Sequence, residues 1–352
     1  MLKNFFTKMS KDIGVDLGTS NTLYYVSGKG IIVNEPSVVA INTRIDQILS
    51  VGDDARRMLG KTPPHILAVK PLRHGVISDF EITEKMMKYF IDKIHKESFS
   101  MFFRPRIIIG VPLDITEVER KAVEDVALSA GAKEVYLIEQ PMASAIGVRL
   151  PIQEANGNMI VELGGGKTEI AVISLGGIVA SKSLKVAGEK LDNDIIDYVR
   201  EKYNLFLGEK TAENVKVKIA NVLPIESKAQ KMKIRGRNLL TGLPKEIVLK
   251  SEEVREAIKK SIDIIIGAIK DVVENTPPEL VSDLYQRGMV LSGGGANILG
   301  LDKMIYEATQ IPVIVADDSL TTVIRGIGIV VEDFDSLKEV LLPPTFENSY
   351  KK

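Results

Sequence analysis

Alternating apolar residues mark the first strand that the sequence predicts. Between Asp12 and Val26, the residues Ile13, Val15 and Leu17 occupy every second position, the period at which side chains share one face of a strand. A glycine-containing turn and a second strand follow. Residues 158–173 repeat this order of strand, glycine-rich turn and strand. The recurrence predicts that the chain contains two related halves.

Other segments follow a helical period or end at glycine. We expect helices over 83–94, 116–130 and 251–275, the second opened by a capping box of Thr116 and Glu119. Residues 106–112 form an apolar strand between the first two helices, and residues 288–300 read as a strand that reaches glycines before a helix. The basic stretch 228–250 is interpreted as a solvated hairpin, with a surface for an acidic partner as the alternative. Strands and helices that alternate in this way predict an α/β protein.

Three glycine-rich turns each come directly after an apolar strand. They contain Gly18, the run from Gly164 to Gly166, and the run from Gly293 to Gly295. Binding of a polyphosphate needs close backbone approach, N–H donors and hydroxyls, and carboxylates that hold Mg²⁺ through its waters. Asp16 and Glu162 are the candidate Mg²⁺ carboxylates. The Walker pattern GxxxxGK[ST] and the protein-kinase motifs are absent from the sequence.

Composition excludes several classes of protein. Hydrophobic residues make up 45% and charged residues 26% of the 352 residues, with a formal net charge of -1. These values argue against disorder and against nucleic-acid binding through a global basic field. Cysteine is absent, which excludes disulfides, cysteine-ligated zinc and a cysteine nucleophile and favours a reducing cytoplasm. No apolar run approaches the length that spans a bilayer, so we expect neither a membrane-spanning nor an exported protein.

The first eleven residues form an amphipathic pattern. Three lysines and no acidic residue precede Asp12, so a helix here would be apolar on one face and basic elsewhere, as in segments that bind an anionic membrane surface. The alternative is a leader whose aromatic residues pack on the domain. The apolar positions, spaced i, i+3, i+4 and i+7, are Leu2, Phe5, Phe6 and Met9.

Several segments resemble the MreB family of bacterial actins. Among them are DIGVDLGTSNT, IEQPMASAIG, GGGKTEIAVISLGGIV and LSGGGANILGLD, and the similarity extends over about residues 12–335. The resemblance implies an actin-like α/β fold of two lobes, built from two ribonuclease-H-like domains around a nucleotide cleft. It also implies ATP or ADP with Mg²⁺ in that cleft and head-to-tail assembly into filaments with paired protofilaments.

The resemblance also divides the chain. Residues 1–11 would be the amphipathic N-terminal segment, and residues 12–148 would form lobe I, which is rejoined by about 316–340. Lobe II would comprise 149–315, and 341–352 would be a C-terminal tail. An apolar membrane loop of the family would correspond to Met101, Phe102 and Phe103, although these residues could equally belong to a core.

The resemblance also implies the site residues, position by position. The first phosphate turn corresponds to Gly18, Thr19 and Ser20, the second to Gly164, Gly165 and Gly166, and the adenosine pocket to Glu213, Lys216, Gly293, Gly294 and Gly295. The alternative for the adenosine residues is that they are ordinary charged residues of a helix and a tight turn.

Two positions depart from the family pattern at the catalytic centre. Gln140 stands where the family usually has the glutamate that acts on the attacking water, and Lys167 replaces a threonine. A glutamine orients water but cannot accept its proton, and loss of a general base typically slows a reaction by about 10² to 10⁴. Actin itself has glutamine at the matching position. We therefore expect a weak ATPase, with Lys167 near the terminal phosphate or, alternatively, extended into solvent.

The function implied by the resemblance is that of a filament-forming cytoskeletal protein. It would act in cell shape determination in the cytoplasm, peripherally at the inner face of the membrane, with itself, MreB paralogues or membrane shape proteins as partners. Alternatives are a specialised shape or motility paralogue and a non-polymerising nucleotide-dependent regulator. A heat-shock chaperone should carry a peptide-binding domain after the ATPase, and a small-molecule kinase should use an aspartate base.

Overall fold

A computed structural model of the chain describes residues 12–98, 104–224 and 230–343, without the side chains of residues 97 and 98. The predicted N-terminal segment 1–11 and the loop 101–103 lie outside the described residues. The chain divides into two compact units. Unit 1 comprises Met1–Glu154, Leu175–Gly177 and Thr321–Lys352, and unit 2 comprises Ala155–Ser174 and Ile178–Leu320. The lobe boundaries implied by the resemblance stay a prediction.

Unit 1 contains strands from the N-terminal part of the chain and helices from both ends. Its strands are β1 (Ile13–Leu17), β2 (Asn21–Val26), β3 (Gly30–Pro36), β4 (Val39–Asn42), β5 (Gln47–Val51), β6 (Ile66–Val69), β7 (Leu72–Arg73), β8 (Val76–Ile77), β9 (Arg106–Val111) and β10 (Glu134–Glu139). Its helices are α1 (Asp53–Met58), α2 (Phe80–Ser98), α3 (Glu117–Ser129), α4 (Gln140–Gly147), α10 (Thr322–Glu332), α11 (Phe334–Leu337) and a 3-10 turn (Lys338–Val340).

The central sheet of unit 1 has the strand order β10-β9-β1-β2-β3. Strand β1 is antiparallel to β2 and parallel to β9, and β9 is parallel to β10. Helix α10 packs closely on this sheet and on α4, because a Cβ at Gly326 would lie 1.7 Å from the Ala143 carbonyl oxygen and one at Gly14 would lie 2.6 Å from Ile327. A helix near the end of the chain therefore completes the core that β1 begins.

Unit 2 is built largely from one stretch of chain. Its strands are β11 (Asn158–Leu163), β12 (Thr168–Ser174), β13 (Gly177–Leu184), β14 (Leu205–Phe206), β15 (Lys231–Asn238), β16 (Pro244–Lys250), β17 (Met289–Ser292) and β18 (Val313–Val315). Its helices are α5 (Gly188–Tyr203), α6 (Glu209–Ile219), α7 (Ser251–Glu274), α8 (Pro278–Arg287), α9 (Leu301–Thr309) and a 3-10 turn (Gly294–Asn297).

The main sheet of unit 2 repeats the arrangement of the sheet in unit 1. Its order is β13-β12-β11-β17-β18, with β11 antiparallel to β12 and parallel to β17, and β17 parallel to β18. The predicted recurrence is thus confirmed as a shared sheet topology. In both sheets the first strand of the recurring segment is central, so the turn that follows it lies at the carboxyl end of a buried strand, where ligands of α/β sheets commonly bind.

Local predictions agree with the described elements. Helix α3 begins with the capping box of Thr116 and Glu119, α7 covers Ser251–Glu274, and β15 with β16 forms the expected hairpin. Of the predicted tail, residues 341–343 are described, and the Leu342 N–H donates to the Leu137 carbonyl oxygen at 2.8 Å. Among the described residues, no helix is long and apolar enough to cross a membrane.

Candidate functional site

Asp16 lies near the end of β1 in unit 1, with its side chain buried. Burial disfavours the charged carboxylate and raises the pKa of Asp16 to about 6, although the hydrogen bond from Gln140 acts in the opposite direction. Gln140 donates that bond from Nε2 to Oδ1 of Asp16 at 3.2 Å. A buried carboxylate of this kind is a group whose ionised form a nearby cation would stabilise.

Gln140 is placed by the start of α4. Pro141 follows at the first turn of that helix, where its fixed φ is compatible with helix initiation. Gly110 of β9 lies beside Gln140, since a Cβ at Gly110 would lie 3.4 Å from the Gln140 side chain. Gln140 and Asp16 therefore come together because β1 and β9 are neighbouring parallel strands and α4 follows β10.

The first glycine turn, between β1 and β2, is fixed by hydrogen bonds from outside the turn. A Cβ at Gly18 would lie 2.6 Å from the Asn21 carbonyl oxygen, so the tight turn requires glycine. Ser37 Oγ donates to the Gly18 carbonyl oxygen at 2.6 Å, and the Ser37 N–H donates to the Ser20 carbonyl oxygen at 3.0 Å. The Gly75 N–H donates to Thr19 Oγ1 at 2.7 Å. Ser37 and Gly75 thus hold the predicted phosphate turn in place.

The second glycine turn, in unit 2, connects β11 with β12. The Gly164 N–H donates to the Lys167 carbonyl oxygen at 2.9 Å and closes the turn. The start of α5 packs on it, because the Gly188 N–H donates to Gly164 and the Glu189 N–H to Gly165, at 3.1 and 2.8 Å. The N-terminus of α5 therefore lies against this turn, and the positive end of a helix dipole favours anions there.

Lys167 is buried, with 8% of its surface exposed. The alternative in which Lys167 extends into solvent is therefore wrong. Thr168, the next residue, is fully buried and donates from Oγ1 to the Val186 carbonyl oxygen at 2.7 Å. Lys167 consequently brings a positive charge to the interior beside the second glycine turn.

Lys216 reaches the same turn from α6. Its Nζ donates to the Gly188 carbonyl oxygen at 2.7 Å and forms an ion pair with Asp192 at 2.9 Å. The side chains of Lys216 and Asp192 are 15% and 14% exposed. Glu213 lies three residues before Lys216 on α6, which places both on neighbouring positions of one helix face.

The third glycine run packs on the start of the second turn. Gly293 has φ +76, and a Cβ there would lie 2.4 Å from the Leu163 carbonyl oxygen. A Cβ at Gly295 would lie 2.7 Å from Leu163 Cβ, and one at Gly294 would lie 3.2 Å from Leu320. The run from Gly293 to Gly295 therefore packs on Leu163, the residue that precedes the run from Gly164 to Gly166, because β17 and β11 are paired.

The family model described as MreB/Mbl protein matches residues 10–339 of this chain. The chain belongs to the MreB/Mbl family. It is 46% identical over 328 residues to cell shape-determining protein Mbl of Bacillus subtilis, covering 93% of this chain and 98% of the relative. It is 48% identical over 341 residues to cell shape-determining protein MreB of Escherichia coli K12, with 95% and 97% covered.

Solved structures support the fold of this MreB/Mbl member. The crystal structure of MreB5 of Spiroplasma citri bound to ADP matches with a TM-score of 0.88 and 38% identity, and covers 94% of this chain and 98% of that chain. The MamK double helical filament matches with a TM-score of 0.77 at 21% identity, covering 92% and 99%, and shows the fold alone. The predicted actin-like fold is confirmed.

Asp16 and Glu162 are the carboxylates of this MreB/Mbl member that would hold Mg²⁺. Among residues 12–98, 104–224 and 230–343, no group of three acidic or histidine side chains is close enough to enclose a metal ion. Asp16 and Glu162 each lie at the end of a central strand, in separate units. Each carboxylate by itself fits an ion that is held through its waters, because Mg²⁺ keeps several waters and takes few protein ligands.

Two supporting residues were missed by the sequence reasoning. Ser37 lies between Pro36 and Val38 in an otherwise apolar stretch, and that isolated buried hydroxyl is the signal that could have identified it. Asp192 is one of several acidic residues on α5, and no sequence pattern singles it out as the partner of Lys216. In unit 1 the structure brings Gln140 to Asp16, and in unit 2 it brings Lys216 to Gly188 and the third glycine run to Leu163.

Proposed function

We propose that this chain binds ATP and ADP with Mg²⁺ and polymerises into cytoskeletal filaments. The observation that carries the proposal is the convergence in unit 2 of a helix N-terminus, Lys167 and two glycine runs at one turn. Such a turn offers backbone approach and positive charge to phosphate groups. The solved MreB5 structures bound to ADP and to AMPPNP support nucleotide binding.

Each predicted residue has a role in this proposal. Gly18, Thr19 and Ser20 form one phosphate-binding turn, and Gly164, Gly165 and Gly166 form another. Glu213, Lys216 and the run from Gly293 to Gly295 bind the adenosine. When bound, Mg²⁺ neutralises phosphate charge, and Asp16 and Glu162 hold its waters.

Hydrolysis is slow in this proposal because of Gln140 and Lys167. The Gln140 amide nitrogen donates to Asp16, so its side-chain oxygen is the atom that orients an attacking water. An amide oxygen accepts a hydrogen bond but does not take the proton, which removes general-base assistance. Lys167 binds the terminal phosphate and retains it after cleavage. Charge-assisted bonds of this type contribute about 1.5 to 3 kcal/mol.

The filaments are head-to-tail assemblies of copies of this chain, with paired protofilaments, and they act in cell shape determination. Relatives named as cell shape-determining proteins at 46% and 48% identity support this role, and the filament of MamK supports assembly as a property of the fold. The proposed site of action is the cytoplasmic face of the inner membrane, with MreB paralogues or membrane shape proteins as further partners.

High-speed sedimentation of the purified chain with and without Mg-ATP, followed by microscopy of the pellet, tests the assembly. We expect ordered filaments with nucleotide. A protein that stays in the supernatant under all nucleotide and salt conditions contradicts the proposal for the chain alone.

The N-terminal segment provides membrane attachment in this proposal. Residues Leu2, Phe5, Phe6 and Met9 form its apolar face. Co-sedimentation with anionic liposomes tests it, using the variant Phe5→Ser with Phe6→Ser. Binding equal to that of the parent chain counts against this segment.

A further inference from the structure

Arg120 connects separate parts of unit 1. It lies near the start of α3, and 11% of its side chain is exposed. Its Nη1 pairs at 2.8 Å with Glu117, whose side chain is 66% exposed, and exposed pairs of this kind contribute little stability. Its Nη2 donates to the Pro343 carbonyl oxygen at 2.5 Å. The second contact joins α3 to residues near the other end of the chain.

The charge of Arg120 also acts on Glu139. Glu139 is the last residue of β10 and directly precedes α4. Burial raises the pKa of Glu139, whereas the positive charge of Arg120 lowers it and favours the carboxylate. Glu139 occupies the N-cap position of α4, yet its side chain makes no capping bond to that helix. Its carboxylate is thus associated with α3 through Arg120.

The backbone of Glu139 leads directly into Gln140. Glu139 is paired with Val111 of β9, and Gln140 begins α4 and donates to Asp16. The direction of a side chain depends on the backbone dihedrals of its residue, so the junction of β10 and α4 sets where the Gln140 amide lies. Arg120, by holding the Glu139 side chain, therefore acts on the orientation of that amide.

The C-terminal part of unit 1 covers the outer edge of β10. Strand β10 is the edge strand of the central sheet, and the Leu342 N–H donates to its backbone at 2.8 Å. The Leu342 side chain packs on the core of unit 1. Phe334 of α11 contacts Tyr136 of β10, with ring centroids 4.9 Å apart. Residues 334–343, called the C-terminal strap below, therefore follow β10 and end at the bond to Arg120.

We propose that Arg120 is a positioning residue for ATP hydrolysis: held by the C-terminal strap, it fixes the β10–α4 junction so that Gln140 presents its side-chain oxygen to the attacking water. This role rests on the proposed function of Gln140 and identifies the part of the chain that sets its geometry. Small displacements of an orienting group slow a reaction strongly. Loss of the contact between Arg120 and the strap slows phosphate release and leaves nucleotide affinity nearly as it is.

The variant Arg120→Met tests this role in the full chain. It keeps an unbranched apolar side chain and removes the charge and both hydrogen bonds. We expect phosphate release at saturating Mg-ATP to slow roughly three- to tenfold, with the ATP dissociation constant changed by less than about twofold. The matched control is Arg57→Met, which breaks an i,i+3 pair with Asp54 on α1, where both side chains are 74% exposed. The control should release phosphate at the parental rate.

A double-mutant cycle separates positioning from a general loss of structure. Because Arg120 acts through Gln140 in this proposal, Arg120→Met should cause no further slowing in a Gln140→Ala background. A general structural defect would slow both backgrounds equally. Arg120→Lys keeps a positive charge near Glu139 and should recover part of the parental rate. Sedimentation of the same samples shows whether any variant changes assembly.

The variant Leu342→Pro tests the C-terminal strap and leaves Arg120 intact. Proline has no N–H, so the bond from the strap to β10 is lost. We expect slower phosphate release, and the combination with Arg120→Met should be no slower than Arg120→Met alone. Leu342→Ala is the control, because it also loses side-chain packing but retains the N–H, and it should slow phosphate release less.

Two results overturn the positioning role and leave the proposed function intact. The first is parental phosphate release by Arg120→Met when Gln140→Ala is slower than the parent. The second is equal slowing by Arg120→Met in the parental and Gln140→Ala backgrounds. If Arg120→Met does not fold, the same two comparisons with Leu342→Pro decide. Parental phosphate release by Gln140→Ala contradicts the hydrolytic role of Gln140 itself, and the role of Arg120 falls with it.

Discussion

Gln140 Nε2 donates to Asp16 Oδ1 at 3.2 Å in the interior of unit 1. A glutamate at position 140 would place two carboxylates at this distance, and like charges so close disfavour simultaneous ionisation. The amide of Gln140 avoids that repulsion and donates a hydrogen bond to the Asp16 carboxyl group. The departure from the family pattern therefore removes a general base and at the same time relieves an electrostatic conflict beside the first glycine turn.

Restoring the family residues should speed phosphate release. We expect the variant Gln140→Glu with Lys167→Thr to release phosphate several-fold faster than the parent, which is less than the factor of about 10² to 10⁴ that an ideally positioned general base provides. A colorimetric phosphate assay at saturating Mg-ATP measures the rate. The single variants Gln140→Glu and Lys167→Thr are the controls, and they show how much each substitution contributes to the change in rate. An unchanged rate in the double variant refutes the roles assigned to Gln140 and Lys167.

Asp16 should make stability depend on pH. Burial raises the pKa of Asp16 from its ordinary 3.8 to about 6, so the native state retains a proton in a range where the unfolded chain has lost it. Its stabilising contribution is complete below about pH 4 and is lost as the pH rises to about 6. The total change is at most about 3 kcal/mol, from 1.36 kcal/mol for each pKa unit.

Asp16→Asn isolates this effect. We expect its unfolding free energy to vary less between pH 4 and pH 6 than that of the parent, and to exceed the parent's at pH 7. Urea denaturation across this range measures both quantities. The same variant should bind Mg-ATP more weakly, because the amide carries no charge for the metal waters. Equal pH dependence in both proteins contradicts the argument.

Lys216 should matter for both stability and nucleotide affinity. Lys216→Ala leaves Asp192 without this cation and removes a hydrogen bond to Gly188, and we expect a loss of about 1 to 3 kcal/mol in unfolding free energy. Lys218→Ala, two positions away and exposed, is the matched control and should change little. Denaturant titration and nucleotide titration of both variants make the comparison. Equal behaviour of the two would exclude the adenosine role of Lys216.

The steric effect of the close approach at Gly293 can be tested separately from the effect of its positive φ. Gly293 and Gly242 have φ +76 and +72, but a Cβ at Gly293 would meet the Leu163 backbone at 2.4 Å whereas one at Gly242 meets nothing within 4 Å. Gly242→Ala should therefore cost about 1 kcal/mol, and Gly293→Ala should cost clearly more. Thermal unfolding compares them. Similar losses of stability in the two variants would show that the positive φ alone accounts for the cost.

The sequence predicted the local elements because their signals are local. Alternation of Ile13, Val15 and Leu17 marks β1, and the pair Thr116 and Glu119 marks the start of α3, each within a few residues. The approach of Gly293 to Leu163 joins positions far apart in the chain. That contact follows from strand pairing, which no single local pattern contains.

The candidate site likewise contains residues that the sequence predicts and partners that it does not. Its glycines and carboxylates could be predicted, because close backbone approach and metal binding restrict the residue type at each position. The partners that hold them could not: Asp192 beside Lys216 and Ser37 on Gly18 are chosen by tertiary packing among many similar residues.

Helix α10 closes unit 1 only after the ribosome has made every residue of unit 2. The stretch from Ala155 to Leu320 holds all of unit 2, so this stretch emerges complete while the sheet of unit 1 still lacks the helix that packs on β1 and α4. Domains generally fold as units during synthesis. Unit 2, which comes second in the sequence, is consequently the first able to finish its core, and the N-terminal strands must wait until α10 has been made.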